Sequence, residues 1–195
     1  MKSALLNKLR SKVEPLLSKL ASVLGRTGVS PNAVTLLSLI TAITGVLATL
    51  STRSGLVLGL TVLVSGFFDA VDGALARVQR RSSARGTLLD SVADRVCEAL
   101  FALGILALGL NPYVVCLFLA LSSLTSYLRA RGESLGVASA GVGLMERAER
   151  LISLLIIIAV YELAGLATAN ALLTIVVVLT GVTVVQRFLH IWGRV

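Results

Sequence analysis

The sequence predicts an all-α integral membrane protein: six transmembrane helices preceded by an N-terminal amphipathic interfacial helix. Three observations carry that prediction. Hydrophobic residues fill 56% of the 195 positions and charged residues 14%, against roughly 45–50% and about 25% in soluble domains. Mean hydropathy is +0.92. The apolar residues fall in long runs without β-barrel alternation, so each backbone must be satisfied within its own segment, as in a helix. A soluble domain of this length would not bury so much apolar surface, and disordered chains are poor in apolar residues.

Residues 1–28 form the first element. Leu5, Leu9, Val13, Leu16, Leu20 and Leu24 recur at helical spacing, with Lys2, Lys8, Lys12 and Lys19 between them. That pattern predicts a helix lying in the membrane interface. It does not fit a secretory signal, because the apolar h-region is missing. Residues 29–195 form the predicted membrane domain. A hydrocarbon core of about 30 Å needs about 20 helical residues. Six apolar runs are candidates: Ala33–Leu50, Gly55–Phe68, Val96–Leu110, Tyr113–Leu128, Leu151–Leu166 and Ala169–Val185. Ser51-Thr52-Arg53-Ser54, Asn111-Pro112 and the region around Thr168 separate them, with polar loops near 77–90 and 129–150.

Eighteen basic residues against ten acidic ones leave a net charge of +8. Such a balance suits nucleic acid or an anionic membrane surface, and position decides between them. With six spans, both termini and both polar loops share one side. Seventeen of the 18 basic residues lie there, and Arg53 alone lies opposite. The positive-inside rule makes that side the cytoplasm. The expected protein is therefore multi-pass in the cell membrane, with cytoplasmic termini and no nucleic-acid partner. Cys97 and Cys116 lie in apolar runs without a C-x-x-C pair and read as small buried hydrophobes. His190 stands alone, which argues against a histidine metal site.

Spans two and three are anomalous. Their purely apolar parts hold 14 and 15 residues, about 21–23 Å of helix at 1.5 Å per residue. Each must extend through its polar flank to finish crossing. The second then includes Asp69 and Asp72, and the third Asp90 and Asp94. Spacings of i,i+3 and i,i+4 put each pair on one helix face. Four carboxylates are expected just inside the cytoplasmic edge of the bilayer. An ionised carboxylate at mid-membrane costs about 2.5–3.5 kcal/mol, and less near the edge. Oxygen-only ligands point to a hard compensating cation, Mg²⁺ or Mn²⁺. The plainer reading is Asp–Arg pairing with Arg77, Arg85 and Arg95. Gly73 and Gly86 punctuate the same stretch, where a missing side chain lets a phosphate or base approach the backbone.

The stretch Asp69-Ala-Val-Asp72-Gly73-Ala-Leu-Ala76-Arg77, eight residues, then Gly86-Thr-Leu-Leu-Asp90-Ser-Val-Ala-Asp94 resembles the signature of the CDP-alcohol phosphotransferase family. All eight fixed positions of D-x2-D-G-x2-A-R-x8-G-x3-D-x3-D match. The resemblance implies a metal-dependent enzyme that transfers the lipid phosphoryl group of a CDP-linked lipid to an alcohol and releases CMP. It implies Asp69, Asp72, Asp90 and Asp94 as ligands of two divalent ions, with Asp94 also the general base. It implies CDP-lipid binding at Gly73, Arg77, Ser83 and Gly86. The Pro31-Asn32-Ala33-Val34-Thr35 opening of span one is similar to the family's P-N-x-x-T, which adds Asn32 and Thr35. A homodimer is implied on the same footing.

Tyr127-Leu-Arg129-Ala-Arg131, Glu146-Arg147-Ala148-Glu149-Arg150 and Gln186-Arg187 close or open spans on the aspartate side. These pieces look like the inositol-phosphate branch of the family, the phosphatidylinositol phosphate and archaetidylinositol phosphate synthases. Ala148 stands in place of a usual proline, and Arg129 where lysine is common. The resemblance implies that Arg129, Arg131, Arg150 and Arg187 bind the phosphate of inositol 1-phosphate, and guanidinium forks suit phosphate oxygens. Positive-inside topology and snorkelling to headgroups are the plainer account of those arginines.

The same chemistry with glycerol 3-phosphate or serine as acceptor is the nearest alternative. A cation channel or transporter built on the acidic cluster is another, although Glu162 alone lies near the far face. A non-catalytic membrane scaffold is the third.

Overall fold

The computed structural model describes residues 4–79 and 83–195, with side chains from Glu14 onward. Lys2, Arg80 and Arg81 lie outside the described residues, as do the side chains of Leu5, Lys8, Leu9, Lys12 and Val13. Helix follows helix: α1 (Ala4–Arg26), α2 (Pro31–Thr52), α3 (Gly55–Val78), α4 (Ala84–Ala107), α5 (Pro112–Ser134) and α6 (Arg147–Trp192). The chain forms two compact units. One holds the chain up to Ala48 together with Leu60–Phe101; the other holds Thr49–Gly59 and Ala102–Val195.

In the first unit, α1 packs by Leu17, Ala21 and Leu24 against Val34 of α2 and Val71, Ala74 and Leu75 of α3. That inward stripe differs from the predicted one. Leu16 and Leu20, read as part of the apolar face, point outward with Val23. The helix has two apolar flanks, and spacing alone does not say which one finds protein. Helices α2 and α3 meet through small residues, the usual close contact inside a membrane. Ser38 Oγ donates to Ser65 O at 2.9 Å, and Ser65 Oγ donates to Ser38 O at 3.2 Å. Farther along the same pair of helices, a Cβ on Gly45 would collide with Thr61 Oγ1. Thr61 is β-branched and stiff at χ1, so the backbones would have to part. Gly45→Ala is expected to destabilise by about 1–3 kcal/mol, read as a lower unfolding midpoint in detergent. An unchanged midpoint would contradict this packing.

In the second unit, α5 starts where Asn111-Pro112 predicts. Asn111 Oδ1 accepts from the Tyr113 and Val114 amides at 3.0 and 3.4 Å, with Pro112 at the first helical position. The Asn111 amide donates to Asn170 Oδ1 at 2.8 Å, which fixes that turn against α6. Cys97 is buried, but Cys116 is exposed, contrary to its reading as a buried hydrophobe. It lies on an outward face of α5, an exposure the apolar run does not reveal.

The six predicted apolar runs fall in five helices, the last two both in α6. Among the described residues, α2, α3, α5 and α6 are long and apolar enough to cross a membrane. Helix α4 is long enough but carries Arg85, Asp90, Asp94, Arg95 and Glu98. The break expected around Thr168 lies instead at Gly165, with φ 82° and ψ 176°. Glycine takes that backbone without a Cβ clash, while Thr168 stays helical with its hydroxyl on Ala164 O at 3.2 Å. The polar loops are shorter than predicted. Helix α3 runs to Val78, α4 begins at Ala84, and 135–146 separate α5 from α6. Charged residues do not end helices.

Candidate active site

Two helix N-termini and two carboxylate-bearing helices build one cleft in the first unit. Ser30 caps α2, its Oγ accepting from the Ala33 amide at 3.2 Å. Pro31, which has no amide hydrogen to satisfy, takes the first helical position. Ser83 caps α4 in the same way: its Oγ accepts from the Gly86 amide at 3.0 Å, and its carbonyl from the Thr87 amide at 2.9 Å. Both starts line an open cleft through Pro31, Asn32 and Thr35 on one side and Ser83, Gly86 and Thr87 on the other. Asp72, Gly73, Ala76 and Asp90 complete it. Helix N-termini carry partial positive charge and favour anions. Gly86 has little room beside it. A Cβ there would lie 3.0 Å from Asn32 Oδ1 and 3.1 Å from Ser83 Oγ.

The cleft thus collects five of the six predicted CDP-lipid residues: Asn32, Thr35, Gly73, Ser83 and Gly86. Arg77, the sixth, is exposed, and a Cβ on Gly73 would meet its Nη1 at 3.7 Å. Thr87, a lining residue the sequence reading passed over, sits one turn before Asp90 and next to the matched Gly86. That spacing was its only signal.

Oxygens of Asp69, Asp72 and Asp90 lie within 4.8 Å of one another. Asp69 and Asp72 come from successive turns of α3, and Asp90 from the second turn of α4. Asp72 is 4% exposed, and its Oδ2 is buried with no hydrogen-bond partner among the described residues. Like charges held this closely and removed from water call for a cation. Three carboxylates with no softer ligand suit Mg²⁺ or Mn²⁺, so these residues fit the metal the resemblance implies. Asp94 lies outside that trio. Its Oδ2 is 3.3 Å from Arg95 Nη1, with the two side chains 13% and 40% exposed. Of the Asp–Arg pairs weighed from the sequence, this one is present.

The predicted acceptor arginines divide into two kinds, all within the second unit. Arg129 and Arg131 are exposed, and Arg129 Nε pairs with Glu133 at 3.0 Å. Arg150 and Arg187 are 2% and 3% exposed. Arg150 Nη1 donates to Thr125 Oγ1 at 3.0 Å and Met145 O at 3.1 Å. Arg187 donates to Val142 O at 2.8 Å, Thr125 O at 2.7 Å and Glu146 Oε1 at 2.9 Å. Thr125 therefore receives both guanidinium groups. No sequence motif flagged it, because its contribution is half backbone.

Glu162, the far-side carboxylate of the channel reading, is a helix cap. Its Oε1 accepts from the Leu56 amide at 3.0 Å, and a Cβ on Gly55 would come within 2.5 Å of it. A negative charge at the start of α3 is satisfied by the helix dipole.

A family model, CDP-alcohol phosphatidyltransferase, matches residues 28–189. The archaetidylinositol phosphate synthase of Aeropyrum pernix is 40% identical over 192 residues, 96% of either chain. Two crystal structures of the Mycobacterium tuberculosis phosphatidylinositol phosphate synthase are similar throughout. The one with CDP-DAG bound has a TM-score of 0.80 at 26% identity, covering 91% of this chain and 94% of that one. The one in complex with manganese and citrate has a TM-score of 0.78 at 27% identity, covering 90% and 88%. With the eight signature positions of Asp69–Asp94 inside the matched region, this chain belongs to the CDP-alcohol phosphatidyltransferase family.

Proposed function

We propose that this protein is a membrane phospholipid-synthesising transferase that moves the lipid phosphoryl group of CDP-archaeol or CDP-diacylglycerol to inositol 1-phosphate and releases CMP. The observation that carries the chemistry is the Asp69, Asp72 and Asp90 trio at a cleft lined by two helix N-termini. Relatives named as inositol-phosphate lipid synthases support the acceptor.

In the reaction, the acceptor hydroxyl oxygen bonds to the lipid-side phosphorus of the pyrophosphate, and the bond from that phosphorus to the CMP oxygen breaks. The hydroxyl proton goes to Asp94, the general base of the proposal. Asp69, Asp72 and Asp90 hold the divalent ions, which neutralise phosphate charge and stabilise the leaving CMP when bound. Asn32, Thr35, Gly73, Arg77, Ser83 and Gly86 hold the CDP portion. The starts of α2 and α4 set the positive ends of two helix dipoles beside its phosphates. Arg129, Arg131, Arg150 and Arg187 bind the acceptor phosphate.

The membrane arrangement belongs to the same proposal. Helices α2, α3, α4 and α5 and the two parts of α6 on either side of Gly165 make six crossings. Helix α1 lies at the cytoplasmic interface with Leu16, Leu20 and Val23 toward lipid. Both termini and the aspartates are cytoplasmic, and the protein is a homodimer.

The acceptor is tested by CMP release from purified protein given inositol 1-phosphate, glycerol 3-phosphate, serine or free inositol with a divalent cation. Release is expected with inositol 1-phosphate and little with free inositol, which has no phosphate for the arginines. Activity with glycerol 3-phosphate and none with inositol 1-phosphate would overturn the assignment.

A further inference from the structure

The connection between α5 and α6, residues 135–146, is held by one face of α6. Thr183, Arg187 and His190 recur on that face at i, i+4 and i+7. His190 Nε2 lies 3.1 Å from Ala138 O, and Arg187 Nε donates to Val142 O at 2.8 Å. Thr183 Oγ1 accepts from the Leu144 amide at 3.2 Å and the Met145 amide at 2.9 Å, and donates to Leu179 O at 3.0 Å. One donor and two acceptor sites are all a hydroxyl has. Thr183 is fully buried.

The backbone Thr183 grips leads directly into the groups that hold the arginines. Met145 offers its carbonyl to Arg150 Nη1, and Glu146 follows directly. Glu146 Oε1 accepts from both the Gly141 amide at 2.9 Å and Arg187 Nη2 at 2.9 Å. The fit is also steric. Gly143 has φ +111°, and a Cβ there would lie 2.3 Å from Thr183 Cγ2. The methyl packs on bare backbone while the hydroxyl takes two amides, a pair of tasks suited to threonine.

We propose that Thr183 is a positioning residue for the acceptor phosphate, the anchor that fixes the Met145–Glu146 backbone and through it the guanidinium groups of Arg150 and Arg187. It touches no substrate itself. The role rests on the phosphorylated acceptor proposed above.

The test compares the full chain with Thr183→Val, Thr183→Ser and Gly143→Ala, measuring KM for inositol 1-phosphate, KM for the CDP-lipid, and kcat. Valine keeps the shape and leaves the Leu144 and Met145 amides without that acceptor, a loss expected to raise the inositol 1-phosphate KM about tenfold. The CDP-lipid KM is expected to stay within about twofold, since its residues belong to the first unit. Serine restores the hydroxyl and is expected to bring the acceptor KM back to within about threefold of the parent. Gly143→Ala pushes the connection off Thr183 from the other side and is expected to act like valine. It carries the test if Thr183→Val does not fold. Equal shifts in both KM values, a serine variant no better than valine, or an unmoved acceptor KM in Gly143→Ala would overturn the role. A parent chain without inositol 1-phosphate-dependent CMP release would overturn the acceptor reading itself. Normal release by the parent with an indistinguishable valine variant overturns the positioning role alone.

Discussion

Asp72→Asn is expected to cut CMP formation by about 10³-fold or more, because a metal clamp on transferring phosphates supplies several kcal/mol of transition-state stabilisation. The variant is expected to fold. Asparagine is nearly isosteric, and it removes one of three negative charges whose oxygens lie within 4.8 Å of one another. Without metal its unfolding midpoint should match or exceed that of the parent. With saturating Mn²⁺ the parent should gain stability, by about 2.7 kcal/mol at 100 times the dissociation constant. The variant should lose most of that gain. Full Mn²⁺ stabilisation and full activity in Asp72→Asn would remove this residue from the metal site.

Asp94→Asn separates the base from the metal ligands. The resemblance gives Asp94 both roles, whereas the structure pairs it with Arg95 and leaves it out of the trio. A general base contributes about 10²–10⁴-fold, so turnover is expected to fall by that factor. Most of the Mn²⁺-dependent gain in unfolding midpoint should remain. Loss of that gain along with turnover would make Asp94 a ligand. Unchanged turnover would deny it either role and favour the plain ion pair.

Much of the candidate cleft was legible because polar residues stand out in a chain of long apolar runs. A 14-residue apolar run is too short to cross, so α3 had to continue through Asp69 and Asp72, as it does to Val78. The break at Asn111-Pro112 was readable for a local reason: one side chain and one imino residue define it. Other features depend on partners that a linear pattern does not name. Both flanks of α1 are apolar, and the inward packing of Leu17 rather than Leu16 was decided by Val71 and Leu75 of α3. The break in α6 moved from Thr168 to Gly165 because a threonine hydroxyl can stay on its own helix. The four arginines read alike in the sequence. Two of them are held by Thr125 of α5 and by carbonyls of the connection before α6, contacts made mostly by backbone.

The proposed reaction at the aspartate cleft transfers a lipid phosphoryl group from a CDP-linked lipid to inositol 1-phosphate. Mass-spectrometric detection of the lipid product tests it most directly, using purified full-length protein, CDP-archaeol or CDP-diacylglycerol, inositol 1-phosphate and Mg²⁺ or Mn²⁺. A lipid carrying the inositol phosphate is expected, formed in equal amount with CMP and abolished by chelating the metal. CMP without that lipid, or the lipid formed equally well after chelation, would contradict it.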